Sequence, residues 1–266
     1  MKSTEATKEL LRWYVAMGAD EAIDEQPIDR LAPARAAATP PSPPPAASAP
    51  PPPPAVAAPI AAAPAAASAR RLAAAATSLA ELESAVRGFD GCALKRTATN
   101  TVFADGAAGA ELMVIGEAPG ADEDRLGRPF VGRSGQLLDR MLAAIGYDRG
   151  QNAYITNVLF WRPPGNRKPT NEEIAACLPF VWRHIALLRP KAVMMCGGTA
   201  TGALLGRAEG IMRLRGRWFS LEAEGLETTV PAIATYHPSF LLRSPSRKNE
   251  AWRDLLALQS KLKDAQ

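Results

Sequence analysis

Four short apolar runs, separated by helical patterns, constrain the fold of this 266-residue chain more than any other feature. We predict strands at 111–116, 153–157, 192–196 and 232–236. Helical periodicity predicts helices at 79–87, 134–145, 171–188, 199–205 and 248–263. Because strands that are apolar on both faces must be covered on both faces, the pattern predicts a three-layer α/β/α sandwich with a central four-stranded parallel sheet.

The first 70 residues have a different composition. Residues 31–70 are almost wholly Pro, Ala and Ser, which lack the large apolar side chains needed to offset the entropy of ordering. We predict a disordered Pro/Ala-rich tether there, and one domain over 71–266. Residues 1–30 contain a short amphipathic pattern at 5–18, which is expected either to dock on a protein partner or to be a poorly ordered terminus.

Charge and cysteine content narrow the function classes. The chain has 31 Lys and Arg against 27 Asp and Glu, and a pI of ≈ 9.1, which permits a polyanionic partner. It has no run of large apolar residues long enough for a membrane span and no secretory signal, so we expect no membrane association and a cytoplasmic location. Three widely spaced cysteines are typical of a reducing compartment.

Polar side chains follow three of the predicted strands. Glu117, Asn157 and His237 stand where these strands end, and the carboxyl ends of parallel strands meet at one edge of a sheet. Each residue taken alone is also a common cap or turn residue. Together, a carboxylate, an amide and an imidazole predict one reactive crevice. The chain lacks a P-loop, a dinucleotide-binding glycine motif, zinc-ligand spacing and a serine nucleophile elbow.

Three longer stretches carry a family resemblance: "GEAPGADEDRLGRPFVGRSGQLLDRML", "ITNVLFWRPPGNRKPTNEEIAACLPF" and "ATYHPSFLLR". They resemble the signature regions of the family 4 uracil-DNA glycosylases, from about residue 79 to the C-terminus. The resemblance implies a DNA repair enzyme that flips uracil out of DNA and hydrolyses its N-glycosidic bond. The alternative is a catalytically inactive DNA-binding or partner-docking protein on the same scaffold.

The resemblance also implies a role for each site residue. Phe130 is expected to stack on the extruded base, and Asn157 to read its N3–H and O4 groups. His237 is expected to stabilise uracil as it leaves as an anion. Glu117 is expected to position or activate the attacking water, or to stabilise positive charge on the sugar. Glu123 is a second catalytic candidate, whose alternative role is to favour a helix dipole.

Further positions are implied to touch the base or the DNA. Gly116 and Ala118 are expected to border the base. Basic side chains near the strand ends are expected to grip phosphates, with solvated surface charge as the alternative for each. Leu241, with Leu242, is expected to wedge into the vacated base stack. The implied DNA contacts are Arg162, Pro163, Ser239, Leu241, Arg243, Arg247 and Lys248, with Arg167 and Lys168 nearby.

The sequence departs from the family at its iron–sulfur site. Family members usually hold a [4Fe–4S] cluster with four cysteines, and the matching positions here are Phe89, Cys92, Trp161 and Cys177. Phenyl and indole groups offer no ligand atom to iron. We therefore expect the cluster to be lost, no cofactor to replace it, and the four side chains to pack as an apolar plug. Uracil-containing DNA is the expected partner, bound by a monomer.

Overall fold

The computed structural model describes residues 64–222, 226 and 228–264. Six strands in this part of the chain form one sheet in the order β1-β3-β2-β4-β6-β5. The strands are β1 Ala104–Gly106, β2 Leu112–Gly116, β3 Ala153–Asn157, β4 Ala192–Cys196, β5 Trp218–Leu221 and β6 Val230–Thr235. The four central strands are parallel, as predicted, whereas β1 and β5 are antiparallel additions at the two edges.

Helices cover both faces of the sheet and make the three layers. They are α1 Pro64–Ala75, α2 Leu79–Gly88, α3 Ala121–Leu126, α4 Arg133–Ala143, α5 Asn171–Leu188, α6 Gly198–Leu205, α7 Ile211–Leu214, α8 Pro238–Arg243 and α9 Lys248–Asp264. Alternate residues of each strand face opposite layers. Met113 and Ile115 pack in the core beneath α1, α2, α5 and α6, and Leu112 and Val114 in the core beneath α4, α8 and α9. The predicted α/β/α sandwich is confirmed.

The first described helix corrects the predicted boundary of the tether. Helix α1 begins at Pro64 and packs against α5, so the prediction of disorder is wrong for residues 64–70. Its alanines supply the contact, because Ala69 and Ala73 are buried in the core. The guanidinium of Arg183 donates two hydrogen bonds to the carbonyl of Ala76, at 2.8 and 2.7 Å. The rest of the predicted tether and the pattern at 5–18 lie outside the described residues.

The parallel register brings the ends of the central strands level. Gly116 of β2 pairs with Asn157 of β3, and Cys196 of β4 pairs with Thr235 of β6. The residues that follow these positions therefore share one edge of the sheet. None of the described helices combines the length and the hydropathy needed to cross a membrane.

Candidate active site

A cavity of ≈ 540 Å³ opens at the carboxyl ends of β2, β3, β4 and β6, and its size lies within the range of ligand pockets. Glu117, Asn157 and His237 all line it, together with Phe130 and Ala118. The structure thus brings an acid, an amide, an aromatic ring and an imidazole from separate chain segments around one space.

Asn157 ends β3 and lies beneath the cavity. It is 1% exposed, and its Oδ1 has no hydrogen-bond partner in the described part of the chain. Buried polar atoms are nearly always paired, so this oxygen is available to a donor that enters the cavity. Gly116 makes room for it: a Cβ at Gly116 would overlap Oδ1 of Asn157 and would lie 2.5 Å from Cζ of Phe130.

Phe130 presents its ring to the cavity from the loop between α3 and α4. The residue is buried, and its ring centroid lies 5.4 Å from that of His237, with 27° between the ring planes. Its φ is 52°, in the left-handed region that bulky residues seldom occupy. An aromatic face that lines a cavity suits stacking against a flat ligand.

His237 follows β6 and caps the N-terminus of α8. The backbone N–H of Ser239 donates to Nδ1 of His237 at 3.1 Å, and the Ser239 hydroxyl lies 2.8 Å from the same atom. Because a backbone amide can only donate, Nδ1 accepts, and the proton of the neutral ring is on Nε2. Burial lowers the pKa of His237 to about 4, helped by the charge of Arg243 and opposed by that of Glu123. The ring is therefore a neutral donor at pH 7.

The two candidate acids have different surroundings. Both oxygens of Glu123 accept backbone amides: Oε2 from Gly120 at 3.0 Å, and Oε1 from Val131 at 2.9 Å and Gly132 at 2.8 Å. This geometry favours a role in holding the loop over a role in chemistry. Glu117 directly follows β2, is half-buried and lines the cavity. Glu123 lines the cavity too, but its two oxygens are already occupied by backbone amides, so Glu117 is the carboxylate better placed to hold a water molecule beside a bound ligand.

The predicted DNA contacts differ in position and in partners. Pro163, Ser239 and Arg243 line the cavity. Arg167 also lines it but forms a bidentate ion pair with Glu173, at 2.6 and 2.9 Å. The others lie outside the lining: Arg162 donates to Oδ1 of Asn166 at 2.8 Å, Arg247 pairs with Glu250 at 2.6 Å, and Lys168 and Lys248 are exposed.

The structure contradicts the placement of Leu241 as a wedge. Leu241 is 1% exposed and belongs to the core beneath α4, α8 and α9. Because α8 turns this side chain inward, the exposed leucine of the motif is Leu242, at 37%. Ser239, predicted to contact DNA, has its amide and hydroxyl directed at His237.

The four positions of the family's cluster are close-packed and do not fit such a cluster. Phe89, Cys92, Trp161 and Cys177 are all buried in one core. Phe89 packs edge-on against Phe180, with 5.2 Å between the ring centroids. Two thiols cannot supply the four thiolates of a [4Fe–4S] cluster. No group of three or more His, Cys, Asp or Glu in the described residues could hold a metal ion.

Several residues of the site were not found from the sequence. Gly197, Ile211 and Tyr236 line the cavity, and Arg149 contacts the loop that carries Phe130. The positive φ of Gly197, 92°, has a sequence signal, since a glycine pair directly follows β4. A lone arginine in a turn or a lone isoleucine at the start of a short helix has none.

Comparison with known proteins agrees with this geometry. The family model of the uracil DNA glycosylase superfamily matches residues 103–256. A type-4 uracil-DNA glycosylase of Pyrobaculum aerophilum is 38% identical over 181 residues, which cover 66% of this chain and 91% of the relative. Those of Archaeoglobus fulgidus and Thermotoga maritima are 38% and 39% identical, over 87% and 82% of their lengths and 65% and 62% of this chain. This chain therefore belongs to the uracil-DNA glycosylase superfamily.

Proposed function

We propose that this protein is a DNA repair glycosylase that flips uracil out of DNA and hydrolyses its N-glycosidic bond, leaving an abasic site. The observation that carries the proposal is the shared cavity of Glu117, Phe130, Asn157 and His237. The names of the curated relatives support the same activity. A base inside a duplex is inaccessible, so the nucleotide must leave the stack and enter such a pocket.

Asn157 reads the base in this proposal. Its unpartnered Oδ1 accepts the N3–H of uracil, and its Nδ2 donates to O4. Cytosine presents an acceptor at N3 and a donor at C4, so it leaves both groups of the amide unpaired. A site with buried groups of this kind rejects the wrong base strongly. Ala118 lines the cavity beside the amide, and Gly116 packs directly against the amide and the Phe130 ring.

His237 stabilises the leaving group. When the N1–C1′ bond breaks, its electron pair stays with uracil and negative charge develops on O2. The Nε2–H of a neutral imidazole donates a hydrogen bond to that charge without giving up its proton. Loss of one such donor costs on the order of 3 kcal/mol in the transition state, or about 100-fold in rate. The Ser239 amide fixes the tautomer that makes this possible.

Glu117 acts on the sugar side of the bond. Its carboxylate either orients and deprotonates the attacking water or stabilises positive charge that develops on the sugar. Arg243, Arg247, Lys248, Arg162 and Pro163 line or flank the cavity mouth and contact the DNA backbone. The affinity that the four cationic side chains supply depends on salt and not on sequence.

The chemistry proposed here needs no cluster, because none of the four cavity residues coincides with a cluster position. We propose that the cluster is lost and that Phe89 and Trp161 fill its place together with Cys92 and Cys177. About four irons per purified chain, with a broad absorption band near 400 nm, would contradict this.

The finer organisation is also part of the proposal. The three cysteines are buried and free, which supports a reducing compartment such as the cytoplasm. We place the reaction on a monomer, with residues 71–266, extended by α1, as the glycosylase domain. Residues 1–30 form a segment for docking a protein partner, joined to this domain by the Pro/Ala-rich tether.

One observation favours a second candidate, an inactive DNA-binding protein on the same scaffold. Two of the four cluster ligands have been replaced by aromatic residues, as expected of a chain that has lost constraints on the ancestral enzyme. Intact side chains at all four cavity positions favour the enzyme.

A cleavage assay separates the two candidates. The full chain is incubated with an end-labelled oligonucleotide that contains one uracil, and abasic sites are cleaved with alkali. The enzyme yields cleaved product, and His237→Leu yields it about 100-fold more slowly. Matched oligonucleotides with thymine or cytosine at the same position are the controls. Binding of the uracil strand without any product would contradict the glycosylase and support the inactive protein.

A further inference from the structure

The loop that carries Phe130 holds an aromatic residue in a left-handed backbone conformation, with φ 52°. Such a conformation persists only where neighbouring contacts over-determine it. The contacts that fix this loop therefore decide where the Phe130 ring lies in the cavity.

Glu123 fixes the chain that leaves Phe130. Its Oε1 accepts the amides of Val131 at 2.9 Å and Gly132 at 2.8 Å. A carboxylate cannot bind the carbonyls of Pro129 and Phe130, because carbonyls only accept. Those carbonyls need a separate donor.

Arg149 is that donor. Its Nη1 donates to the carbonyl of Pro129 at 3.1 Å, and its Nη2 donates to the carbonyl of Phe130 at 2.8 Å. The side chain is only 15% exposed and is oriented by ion pairs with Asp105 at 2.8 Å and Asp139 at 2.6 Å. A guanidinium presents five donors in one rigid plane, so it can bond two carbonyls and two carboxylates at once, which an ammonium group cannot do in this geometry.

The first turn of α4 packs against the Phe130 carbonyl as well. A Cβ on Gly135 would overlap the carbonyl carbon and oxygen of Phe130. The Phe130 carbonyl is therefore enclosed by the helix and held by Arg149. If the guanidinium is removed, the loop can move only away from the helix, and the ring moves with it.

We propose that Arg149 is a positioning residue for base capture, which acts by fixing the backbone that carries the Phe130 ring. The proposal rests on the glycosylase function proposed above. Arg149 does not line the cavity, so it acts through Phe130 and not on the base. Asp105 and Asp139 orient its guanidinium.

A double-mutant cycle on the full chain tests the proposal, with kcat/KM for uracil excision as the readout. Arg149→Met is expected to lower kcat/KM by about 10- to 100-fold, since a displaced ring no longer supports the base. In a Phe130→Ala background the same change is expected to cost less than about threefold. Equal losses in both backgrounds would show that Arg149 acts independently of Phe130 and would overturn the proposal.

Arg128 offers a matched control. It pairs with the same Asp105 carboxylate at 2.9 Å but donates to neither loop carbonyl. Arg128→Met is expected to keep the wild-type kcat/KM. A loss as large as that of Arg149→Met would assign the effect to charge around Asp105, and the positioning role would be refuted.

Amide hydrogen exchange gives a readout that does not depend on activity. In Arg149→Met, the amides of Val131 and Gly132 are expected to exchange about tenfold faster or more, while Ile115 in β2 is unchanged. Unchanged exchange at both loop amides would overturn the proposal even if activity fell. If the wild-type protein excises no uracil, the glycosylase proposal fails, and exchange still decides whether Arg149 fixes the loop. Should Arg149→Met not fold, Arg149→Lys undergoes the same tests, with smaller effects of the same sign.

Discussion

Burial keeps both histidines neutral, in two different settings. His184 lies on α5 and is fully buried. Its Nε2 is 2.7 Å from the Tyr154 hydroxyl, and its ring stacks on Phe103 with 4.3 Å between centroids. Burial lowers the pKa of His184 to about 3, as it lowers that of His237 to about 4. Only His237 borders the cavity, so His184 belongs to the core and its protonation affects folding alone.

We expect His184→Phe to reduce the loss of stability in acid. The pKa of a histidine in an unfolded chain is about 6.5. Between pH 6.5 and 3 the unfolded state therefore binds a proton that native His184 does not, and stability falls as the pH falls through this window. The loss is about 1.4 kcal/mol per unit of pKa difference. The substitution removes the loss of stability that His184 causes in acid. The loss that His237 causes remains, and it is complete near pH 4.

Urea unfolding at pH 7, 5 and 4 measures the effect. At pH 7 the variant should be less stable by about 1–3 kcal/mol, because the buried Tyr154 hydroxyl loses its hydrogen-bond partner. Its free energy of unfolding should then decrease less than that of the wild type as the pH is lowered. An identical decrease in both proteins would mean that native His184 takes up the proton.

At the scale of elements, the site depends on how closely β2 approaches its neighbours. A Cβ at Gly116 would overlap Oδ1 of Asn157 and lie 2.5 Å from the Phe130 ring. Gly116→Ala is therefore expected to displace the amide, the ring or both, and to lower kcat/KM for uracil excision by about 100-fold, as a misplacement of about 1 Å does. Overpacking should also cost about 1–3 kcal/mol of stability. Steady-state kinetics and thermal unfolding measure the two losses.

Gly88, at the end of α2, is the control for this substitution. A Cβ there would meet nothing within 4 Å, and alanine loses less backbone entropy than glycine on folding. Gly88→Ala should keep wild-type activity and stability or gain slightly in stability. If Gly116→Ala behaved in the same way, the close packing beneath the cavity would have no role in base capture.

The central elements were predictable because their sequence pattern is long and their burial is complete. β3, β4 and α5 have the predicted bounds. The edge strands were missed because β1 has only three residues and β5 only four, of which three are partly or fully exposed, so neither forms a long buried run. Helix α1 was missed because a segment rich in alanine and proline is typical of a linker. Small side chains, however, also permit close contact between helices.

The site was predictable only where residues follow strands or stand in a motif. The positions of Glu117, Asn157 and His237 were predictable because ligands bind at the carboxyl ends of parallel strands. The motif that contains His237 also gave a wrong prediction for Leu241, because the direction of that side chain depends on how α8 packs. Arg149 acts on backbone carbonyls 19 and 20 residues earlier in the chain. Contacts of this kind leave no pattern in one sequence.

At the scale of the whole molecule, the positions that match the family's cluster ligands join separate parts of the domain. Phe89 and Cys92 follow α2, Trp161 follows β3, and Cys177 lies on α5. Trp161 is 1% exposed, and its Nε1 donates to Oγ1 of Thr101 at 3.0 Å. Packing thus connects the segments that thiolate–iron bonds connect in cluster-bearing proteins.

Stability should therefore depend on Trp161 far more than on a tryptophan at the surface. Trp161→Ala leaves a cavity in the core and is expected to cost about 3–5 kcal/mol, which lowers the Tm by roughly 10 °C in a domain of this size. Trp252→Ala is the matched control: Trp252 is 42% exposed, so its loss removes less buried surface and leaves no core cavity, and it should cost less than half as much stability. Calorimetry compares the two, and equal shifts in Tm would mean that packing at Trp161 has not taken over the cluster's structural role.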